Sequence, residues 1–237
     1  MTGKQTDGLV SRYINRKFST PITNFIVKHN IPLTPNQVSI ISFFLGILSA
    51  ILYIVPYVDL FYVTPYVAQI LVMLQVIPAP ILAGALVQIS SIIDGVDGEL
   101  ARATNRTSKL GGFMDTILDR LVDVSVITCF SLFVLKRFGY SDILFLWIIL
   151  ALSGTILVSY LHSAARAFLD VHPVLVSGVP SFASRDIRLF IIFLGSIAGV
   201  FFGILFVLTL QIVAVLSYLY LISSFIGTLK KFKENKK

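Results

Sequence analysis

Four aspartates at regular spacing are the residues of this sequence whose types and positions predict chemistry. Asp94 and Asp97 are three positions apart, and Asp115 and Asp119 are four apart. Residues at these spacings share one face of an α-helix, so each pair presents two carboxylates in one direction. Four carboxylates held close together repel one another unless cations lie among them, which predicts a site for divalent metal ions. Oxygen ligands suit magnesium, manganese or calcium rather than zinc, and we expect two ions of Mg²⁺ or Mn²⁺.

Small and basic residues lie next to these aspartates. Gly98, Ala101 and Gly111 leave room for a ligand or a backbone to approach closely. Arg102 and Arg106 lie where an anionic substrate would meet the metal ions. Metal ions, arginines and little steric bulk together suit the binding of a diphosphate.

Two further carboxylates of the same stretch have a structural interpretation. Glu99 is expected to face away from the metal site, toward solvent or a lysine. Asp123 lies one turn beyond Asp119 and is expected to accept hydrogen bonds inside the helix bundle. Neither is included in the predicted metal site.

The elements that must position the aspartates are predicted to be membrane-spanning helices. Of the 237 residues, 56% are hydrophobic and 13% are charged, whereas a soluble domain has about 25% charged residues. Apolar runs long enough to cross ~30 Å of hydrocarbon recur along the chain. The predicted fold is an all-α integral membrane protein with six transmembrane helices. They lie at about 34–55, 79–103, 109–135 and 142–168, with a fifth from Ser184 and a sixth that ends near Leu229.

The ends of these spans carry further signals. Thr34 followed by Pro35 predicts the N-cap and first residue of a helix. The short loop between the second and third spans predicts that those spans are antiparallel neighbours, with both aspartate pairs at one end. Residues 57–77 are predicted to extend the first or second span, or to form a re-entrant piece, rather than to cross the membrane.

Basic residues predict the orientation. They concentrate at the N-terminus, after the second and fourth spans and in the tail, which places both termini and the aspartates on the cytoplasmic side of the cell membrane. Because the net charge of +7 is located at the ends of apolar segments, it indicates contact with lipid headgroups and not with nucleic acid.

The predicted organisation has three parts. Residues 1–33 form a juxtamembrane segment, 34–229 the catalytic membrane domain and 230–237 a basic cytoplasmic tail. Within the first part, residues 8–29 predict an interfacial amphipathic helix that Pro21 breaks or bends.

The aspartates belong to a longer motif of 26 residues. Its pattern is D-x-x-D-G-x-x-A-R-x8-G-x3-D-x3-D, from Asp94 to Asp119. In every fixed position this resembles the motif of the CDP-alcohol phosphotransferase family. The resemblance implies that a CDP-linked donor gives its substituted phosphate to an acceptor hydroxyl and that CMP leaves. It also implies a homodimer in the lipid bilayer.

The resemblance implies a role for each motif residue. Asp94, Asp97 and Asp115 correspond to metal ligands, and Asp119 to the general base, which also lies close to the metals. The cytidine diphosphate would lie along the residues predicted to bind nucleotide: Asp94, Asp97, Gly98, Ala101, Arg102 and Gly111.

Three arginines outside the motif have two interpretations, one of which is an acceptor site. Arg166, Arg185 and Arg188 are candidates for binding a phosphorylated acceptor such as inositol phosphate. Equally, they could mark the cytoplasmic border, with Asp186 pairing one of them. The stretch around His162 resembles that of inositol-phosphate-using members but has histidine where those have lysine, and a structural role is favoured for His162.

The identity of the donor has two interpretations. The N-terminal run resembles the membrane half of di-myo-inositol phosphate phosphate synthases, which join CDP-inositol to inositol phosphate. In that group a soluble cytidylyltransferase domain often precedes the membrane part, so this chain is expected to depend on a separate enzyme for CDP-inositol. The alternative is a phospholipid synthase that uses CDP-diacylglycerol or CDP-archaeol with inositol phosphate or another polar acceptor.

Two other classes of membrane protein fit less well. Aspartate-rich prenyltransferases have two aspartate motifs far apart in the chain, whereas this sequence has one compact motif. A cation transporter lined by aspartates would place them near mid-membrane, often within an internal repeat. No repeat is visible, and these aspartates lie toward one end of their helices.

Overall fold

A computed structural model of the chain describes residues 8–55 and 79–234. Within these ranges the chain is helical and contains no strand. The helices are α1 (Arg16–Lys28), α2 (Pro35–Ile54), α3 (Ala79–Ala103), α4 (Lys109–Phe138), α5 (Asp142–Leu169), the short α6 (Pro173–Val176), α7 (Arg185–Phe201) and α8 (Ile204–Glu234), and a π-helical turn, Ser11–Asn15, precedes α1. The predicted role of residues 57–77 lies outside the described residues.

Four of these helices, α2, α3, α5 and α8, are long and apolar enough to cross a membrane. The all-helical prediction is therefore confirmed for the described residues, with four helices that could span a membrane. Helix α7 has 17 residues, and α4 carries Asp115, Asp119, Arg120 and Asp123. Length and composition alone do not identify these two as spans, so the number six stays a prediction.

Hydroxyl side chains fix where the helices begin. Thr34 accepts the backbone N–H of Gln37 at 3.3 Å, and the Gln37 side chain accepts that of Thr34 at 2.9 Å. The predicted Thr34 cap with Pro35 as the first helical residue is confirmed, as a complete capping box. Ser108 caps α4 by accepting from the Gly111 backbone at 3.0 Å. This cap sets the first turn of α4 and thereby the direction of the Asp115 side chain.

Helix α2 packs against both α3 and α4, whereas α3 and α4 share almost no backbone contact of their own. The predicted pair of antiparallel neighbours is therefore found only at the end that carries the aspartates, where Asp94, Asp97 and Asp115 come together. Gly46 allows this arrangement, because a Cβ at this position would meet Val122 of α4 at 2.6 Å and Ser90 of α3 at 3.2 Å. The two aspartate helices thus meet at one end and diverge around α2.

The N-terminal helix docks with its polar side inward. Asn15, Ser19 and Thr23 are buried, while Tyr13 and Phe18 are more than half exposed. A helix in water would bury the opposite face. This arrangement suits a helix whose outer surface contacts lipid.

Helix α1 continues through Pro21, so no break occurs there. A proline inside a helix costs about 3 kcal/mol. Contacts on both sides of Pro21 offset this cost, since Ser19 donates to Glu99 at 2.8 Å and Ile26 is buried with Val96 and Leu100 of α3. The irregular backbone lies in the π-helical turn before α1.

Candidate active site

Three of the four predicted metal ligands converge. Asp94 and Asp97 of α3 and Asp115 of α4 each offer a carboxylate oxygen, and these oxygens lie within 4.8 Å of one another. Ser39 of α2 donates a hydrogen bond to Asp97 Oδ2, which holds that carboxylate in place. A compact group of carboxylate oxygens on two helices has the chemistry that a hard divalent cation requires.

Asp119 lies beside this group and is paired with arginine. Its Oδ1 is 3.0 Å from Arg185 Nη1, and its Oδ2 is 3.8 Å from Arg120 Nη2. The same Arg185 Nη1 lies 2.8 Å from Asp94 Oδ2. Arg185 therefore joins the three-carboxylate group to Asp119. Its position reduces the repulsion that Asp119 experiences from Asp94 and Asp115.

Asp123 neutralises the basic residues behind the site. It accepts hydrogen bonds from Arg120 at 2.7 Å, from Arg185 at 3.1 Å and from Arg188 at 3.2 Å. Asp123 and Arg188 are each 2% exposed. The prediction that Asp123 accepts hydrogen bonds inside the bundle is confirmed.

A cavity of about 350 Å³, which we call the motif cavity, lies where the end of α3, the loop that follows it and the start of α4 meet, beside the start of α2. Its lining contains five of the six residues predicted to bind nucleotide: Asp97, Gly98, Ala101, Arg102 and Gly111. Asp115 also lines it, and Ser39 and Asn36 contribute from the start of α2. The motif cavity is thus built from the aspartate motif and one neighbouring helix.

A second cavity of about 300 Å³, which we call the arginine cavity, lies on the other side of the carboxylates. All three predicted acceptor residues line it: Arg166, Arg185 and Arg188. Asp94 and Asp119 face it as well. The four aspartates therefore lie between the cavities, with Asp97 and Asp115 on one side and Asp94 and Asp119 on the other.

The arginines of the arginine cavity are not equivalent. Arg185 and Arg188 form the ion pairs described above, whereas Arg166 has no carboxylate within ion-pair distance in the described part of the chain. Asp186, a suggested partner of these arginines, accepts the backbone N–H of Ser11 at 2.5 Å. This bond holds the N-terminal turn against the arginine cavity.

The expectation that Glu99 faces solvent or a lysine is wrong. Glu99 is 1% exposed and its Oε1 lies 3.0 Å from Arg16 Nη1, so it faces neither solvent nor a lysine. Helix α1 covers it, because that helix docks on α3 and Ser19 donates a hydrogen bond to Glu99. Arg16 and Glu99 lie 83 positions apart in the sequence, so no local signal could have predicted that they pair.

Asn15 and Ser39 are also absent from the sequence predictions. Asn15 donates to Ser91 Oγ at 3.0 Å and accepts from Gln88 at 2.7 Å. Ser39 supports Asp97 from α2. Both are small polar residues in helices, and nothing in their spacing distinguishes them from other such residues.

Comparison with known proteins identifies the family. The model of the CDP-alcohol phosphatidyltransferase family matches residues 32–226. The chain belongs to this family of transferases.

Curated members of the CDP-alcohol phosphatidyltransferase family resemble the chain over different shares of their length. The bifunctional IPC transferase and DIPP synthase of Thermococcus kodakarensis is 40% identical over 154 residues, which cover 65% of this chain and 29% of that protein. The archaetidylinositol phosphate synthase of Pyrococcus horikoshii is 34% identical over 165 residues, which cover 70% of each chain. The chain spans between 26% and 39% of the four bifunctional relatives that it matches.

Solved structures agree on the fold. The phosphatidylinositol phosphate synthase of Mycobacterium tuberculosis with CDP-DAG bound has a TM-score of 0.65 and 19% identity, and the match covers 90% of this chain and 94% of that one. A complex of the same enzyme with manganese and citrate also has a TM-score of 0.65. The helical arrangement described above is therefore the fold of this family.

Proposed function

We propose that this chain transfers a substituted phosphate from CDP-inositol to inositol phosphate and releases CMP. The observation that carries the proposal is the position of the four aspartates between two cavities of different chemistry. One cavity is lined by small residues and Arg102, and the other by several arginines. A donor in the first and an acceptor in the second would meet at the carboxylates.

The motif cavity suits the cytidine diphosphate. Gly98, Ala101 and Gly111 project little or no side chain into it, which leaves space for the nucleotide. Arg102 and Arg106 line the same space and supply positive charge for the diphosphate. Donor binding is therefore assigned to this side.

The metal ions would be held by Asp94, Asp97 and Asp115, with Asp119 as the fourth candidate ligand, and we propose two Mg²⁺ or Mn²⁺ ions. When bound, such ions neutralise the diphosphate and stabilise the departing CMP. The chain itself holds the carboxylates in position, through Ser39 on Asp97 and Arg185 on Asp94.

Asp119 is proposed as the general base. It lines the arginine cavity, where the acceptor would bind, and a base must be within reach of the proton that it takes. Asp119 would accept the proton of the acceptor hydroxyl as the oxygen forms a bond to phosphorus. The bond between that phosphorus and the CMP oxygen then breaks.

A phosphorylated acceptor fits the arginine cavity. Arg166 lines it without a carboxylate partner among the described residues, and Arg185 and Arg188 lie alongside it. The archaetidylinositol phosphate synthase of Pyrococcus horikoshii, named for an inositol phosphate product, is similar to this chain over 70% of both chains. Inositol phosphate is therefore the proposed acceptor.

A lipid-linked donor is the second candidate, with CDP-diacylglycerol or CDP-archaeol in place of CDP-inositol. The observation in its favour is an exposed apolar stripe on α4 beside the motif cavity. Leu110 and Phe113 are 73% and 66% exposed, and Ile117 continues the stripe. Lipid chains attached to a diphosphate in the motif cavity would lie along it.

The proposed setting is the cell membrane, with six spans that include α4 and α7 and with the aspartates on the cytoplasmic side. The segment 1–33 would lie in the interface, as the outward apolar face of α1 suggests, 34–229 would form the catalytic domain and 230–237 the cytoplasmic tail. We also propose a homodimer, which chemical crosslinking in membranes would test.

The test is CMP release by the purified protein with Mg²⁺. CDP-inositol and a CDP-lipid are each supplied with and without inositol phosphate, and a chelator-treated sample is the control. Release from CDP-inositol that requires both inositol phosphate and the metal would support the proposal. Release from the CDP-lipid alone would favour the second candidate, and no release from either donor would overturn both.

A further inference from the structure

The charges of the arginine cavity leave room for another phosphate-binding group. Asp94, Asp119 and Asp123 pair with Arg185, and Asp123 also pairs with Arg120 and Arg188. Three carboxylates therefore pair with three guanidinium groups, while a fourth carboxylate, Asp186, lines the cavity and accepts the Ser11 backbone N–H. Arg166 supplies the remaining positive charge among the arginines that line the cavity, and a phosphate monoester accepts more hydrogen bonds than one arginine donates.

His172 lines the same cavity with a defined tautomer. It precedes Pro173 at the start of α6, and its Nδ1 accepts the Val174 backbone N–H at 3.3 Å. A ring nitrogen that accepts a hydrogen bond carries no proton, so the proton of the neutral ring is on Nε2. Burial and Arg166 both lower the pKa of His172, which favours that neutral ring. The imidazole thus presents an N–H donor.

His162, which also lines the arginine cavity, and Tyr220 hold this ring in place. The His162 and His172 ring centroids are 5.2 Å apart, and His162 Nε2 lies 2.9 Å from the hydroxyl of Tyr220. Tyr220 is fully buried, and it packs edge-on against Phe182. His162 is therefore fixed by α8, and it restricts the orientation of His172.

We propose that His172 donates from Nε2 to the phosphate of a phosphorylated acceptor alcohol, beside Arg166, and so distinguishes that acceptor from the unphosphorylated alcohol. This inference rests on the proposed function, because it assigns a substrate-binding role within the same cavity. His162 and Tyr220 are positioning residues for His172.

Two substitutions separate this role from the capping of α6. Asparagine is a good N-cap, so His172→Asn keeps the bond to Val174 but loses the donor at the Nε2 position. His172→Gln reaches that position but does not cap. His29→Asn, at the end of α1, is the matched control. CMP release is measured for each variant with inositol phosphate and with inositol, together with thermal unfolding.

We expect His172→Asn to raise the KM for inositol phosphate about tenfold, the effect of losing one hydrogen bond to a charged group. The kcat, the KM for the donor, the activity with inositol and the thermal midpoint should change little. His172→Gln should recover part of the lost affinity, and Tyr220→Phe should raise the same KM by a smaller factor. An unchanged KM for inositol phosphate in His172→Asn would overturn the proposal. So would a variant that is less stable and in which the KM values for inositol phosphate and for the donor rise equally.

Direct binding separates failure of this inference from failure of the proposed function. Inositol phosphate and inositol are titrated calorimetrically into the detergent-solubilised wild type and His172→Asn without donor. Tighter binding of the phosphorylated ligand, weakened in the variant, would support the role of His172 even if no CMP is released in the activity assay. A wild type that binds both ligands equally, or neither, would overturn it.

Discussion

The motif cavity and the arginine cavity lie on opposite sides of one carboxylate cluster, yet they are built differently. The lining of the motif cavity comes from residues 35–39 and 97–115. The lining of the arginine cavity comes from five separate stretches between residues 8 and 188: 8–15, 91–95, 119–120, 158–166 and 172–188. The motif cavity needs one contact between distant segments, whereas the arginine cavity needs several.

Because they are built differently, the motif cavity and the arginine cavity suit different ligands. The motif cavity offers glycines, an alanine and two arginines around Asp97 and Asp115, which suits a constant group such as a nucleotide diphosphate. In the arginine cavity the charges are extensively paired, and the free donors are few. Changes of acceptor within such a fold therefore require changes at residues outside the motif.

The largest effect that would test this division is expected from Asp119→Asn. The substitution removes the proposed base on the acceptor side but leaves Asp97, Asp115 and the motif cavity in place. We expect kcat to fall by about 10²–10⁴-fold, the usual contribution of general base catalysis, while affinity for CDP in the presence of Mg²⁺ is largely retained. Steady-state CMP release and equilibrium titration with CDP measure the two quantities.

The control for that substitution is Asp142→Asn, which changes an aspartate in the first turn of α5 and should leave both quantities unaltered. Near-normal turnover by Asp119→Asn would show that another group takes the proton. Loss of CDP binding in that variant would show that the two sides of the carboxylate cluster are not separable.

Two arginine substitutions should each raise the KM of a different substrate, by an intermediate factor. Arg102→Ala removes a cation from the motif cavity, and Arg166→Ala removes one from the arginine cavity. A lost hydrogen bond to a charged group costs about 1.5–3 kcal/mol, which corresponds to roughly 10–100-fold in affinity. We expect Arg102→Ala to raise the KM of the donor and Arg166→Ala that of inositol phosphate.

Each arginine variant serves as the control for the other, because both remove one positive charge from a cavity that borders the carboxylates. Varying donor and acceptor separately in the CMP assay gives the four KM values. If either substitution raised both KM values alike, the assignment of donor and acceptor to separate cavities would be wrong.

Much of the fold could be predicted from the sequence because its signals are local. The predicted span at 79–103 matches α3 (Ala79–Ala103), and the Thr34 cap marks the start of α2. The convergence of Asp94, Asp97 and Asp115 was predicted from their helical spacing together with the short loop that joins the two helices. These features depend on neighbours within a few residues, which a sequence displays directly.

What could not be predicted depends on which helices touch. The insertion of α2 between α3 and α4 rests on the absence of a side chain at Gly46, and glycine in a membrane helix has several other uses. The pairing of Glu99 with Arg16 required the docking of α1 on α3. Likewise, Arg185 could not be predicted to pair with both Asp94 and Asp119 without knowing where α7 lies. Helical spacing does not specify contacts between distant helices.

The smallest effect on catalysis is expected from the buried pair of Arg16 and Glu99, which holds the N-terminal helix on α3. Arg16→Ala would leave the Glu99 carboxylate buried without its cation, a change that costs about 3 kcal/mol. The double variant Arg16→Ala/Glu99→Gln removes both charges and should unfold at a higher temperature than Arg16→Ala alone. Thermal unfolding of the detergent-solubilised variants measures this order, and a double variant less stable than Arg16→Ala would contradict it.

The same variants also test the comparison of the two cavities. Gly8, Ser11 and Asn15 of the N-terminal segment line the arginine cavity, whereas the lining of the motif cavity includes no described residue before Pro35. Loosening the N-terminal segment should therefore raise the KM of the acceptor by a few-fold, as expected when a contact worth about 1 kcal/mol is lost. The KM of the donor should stay near the wild-type value. Equal changes in both would mean that α1 acts through α3 and its aspartates, and not through the wall of the arginine cavity.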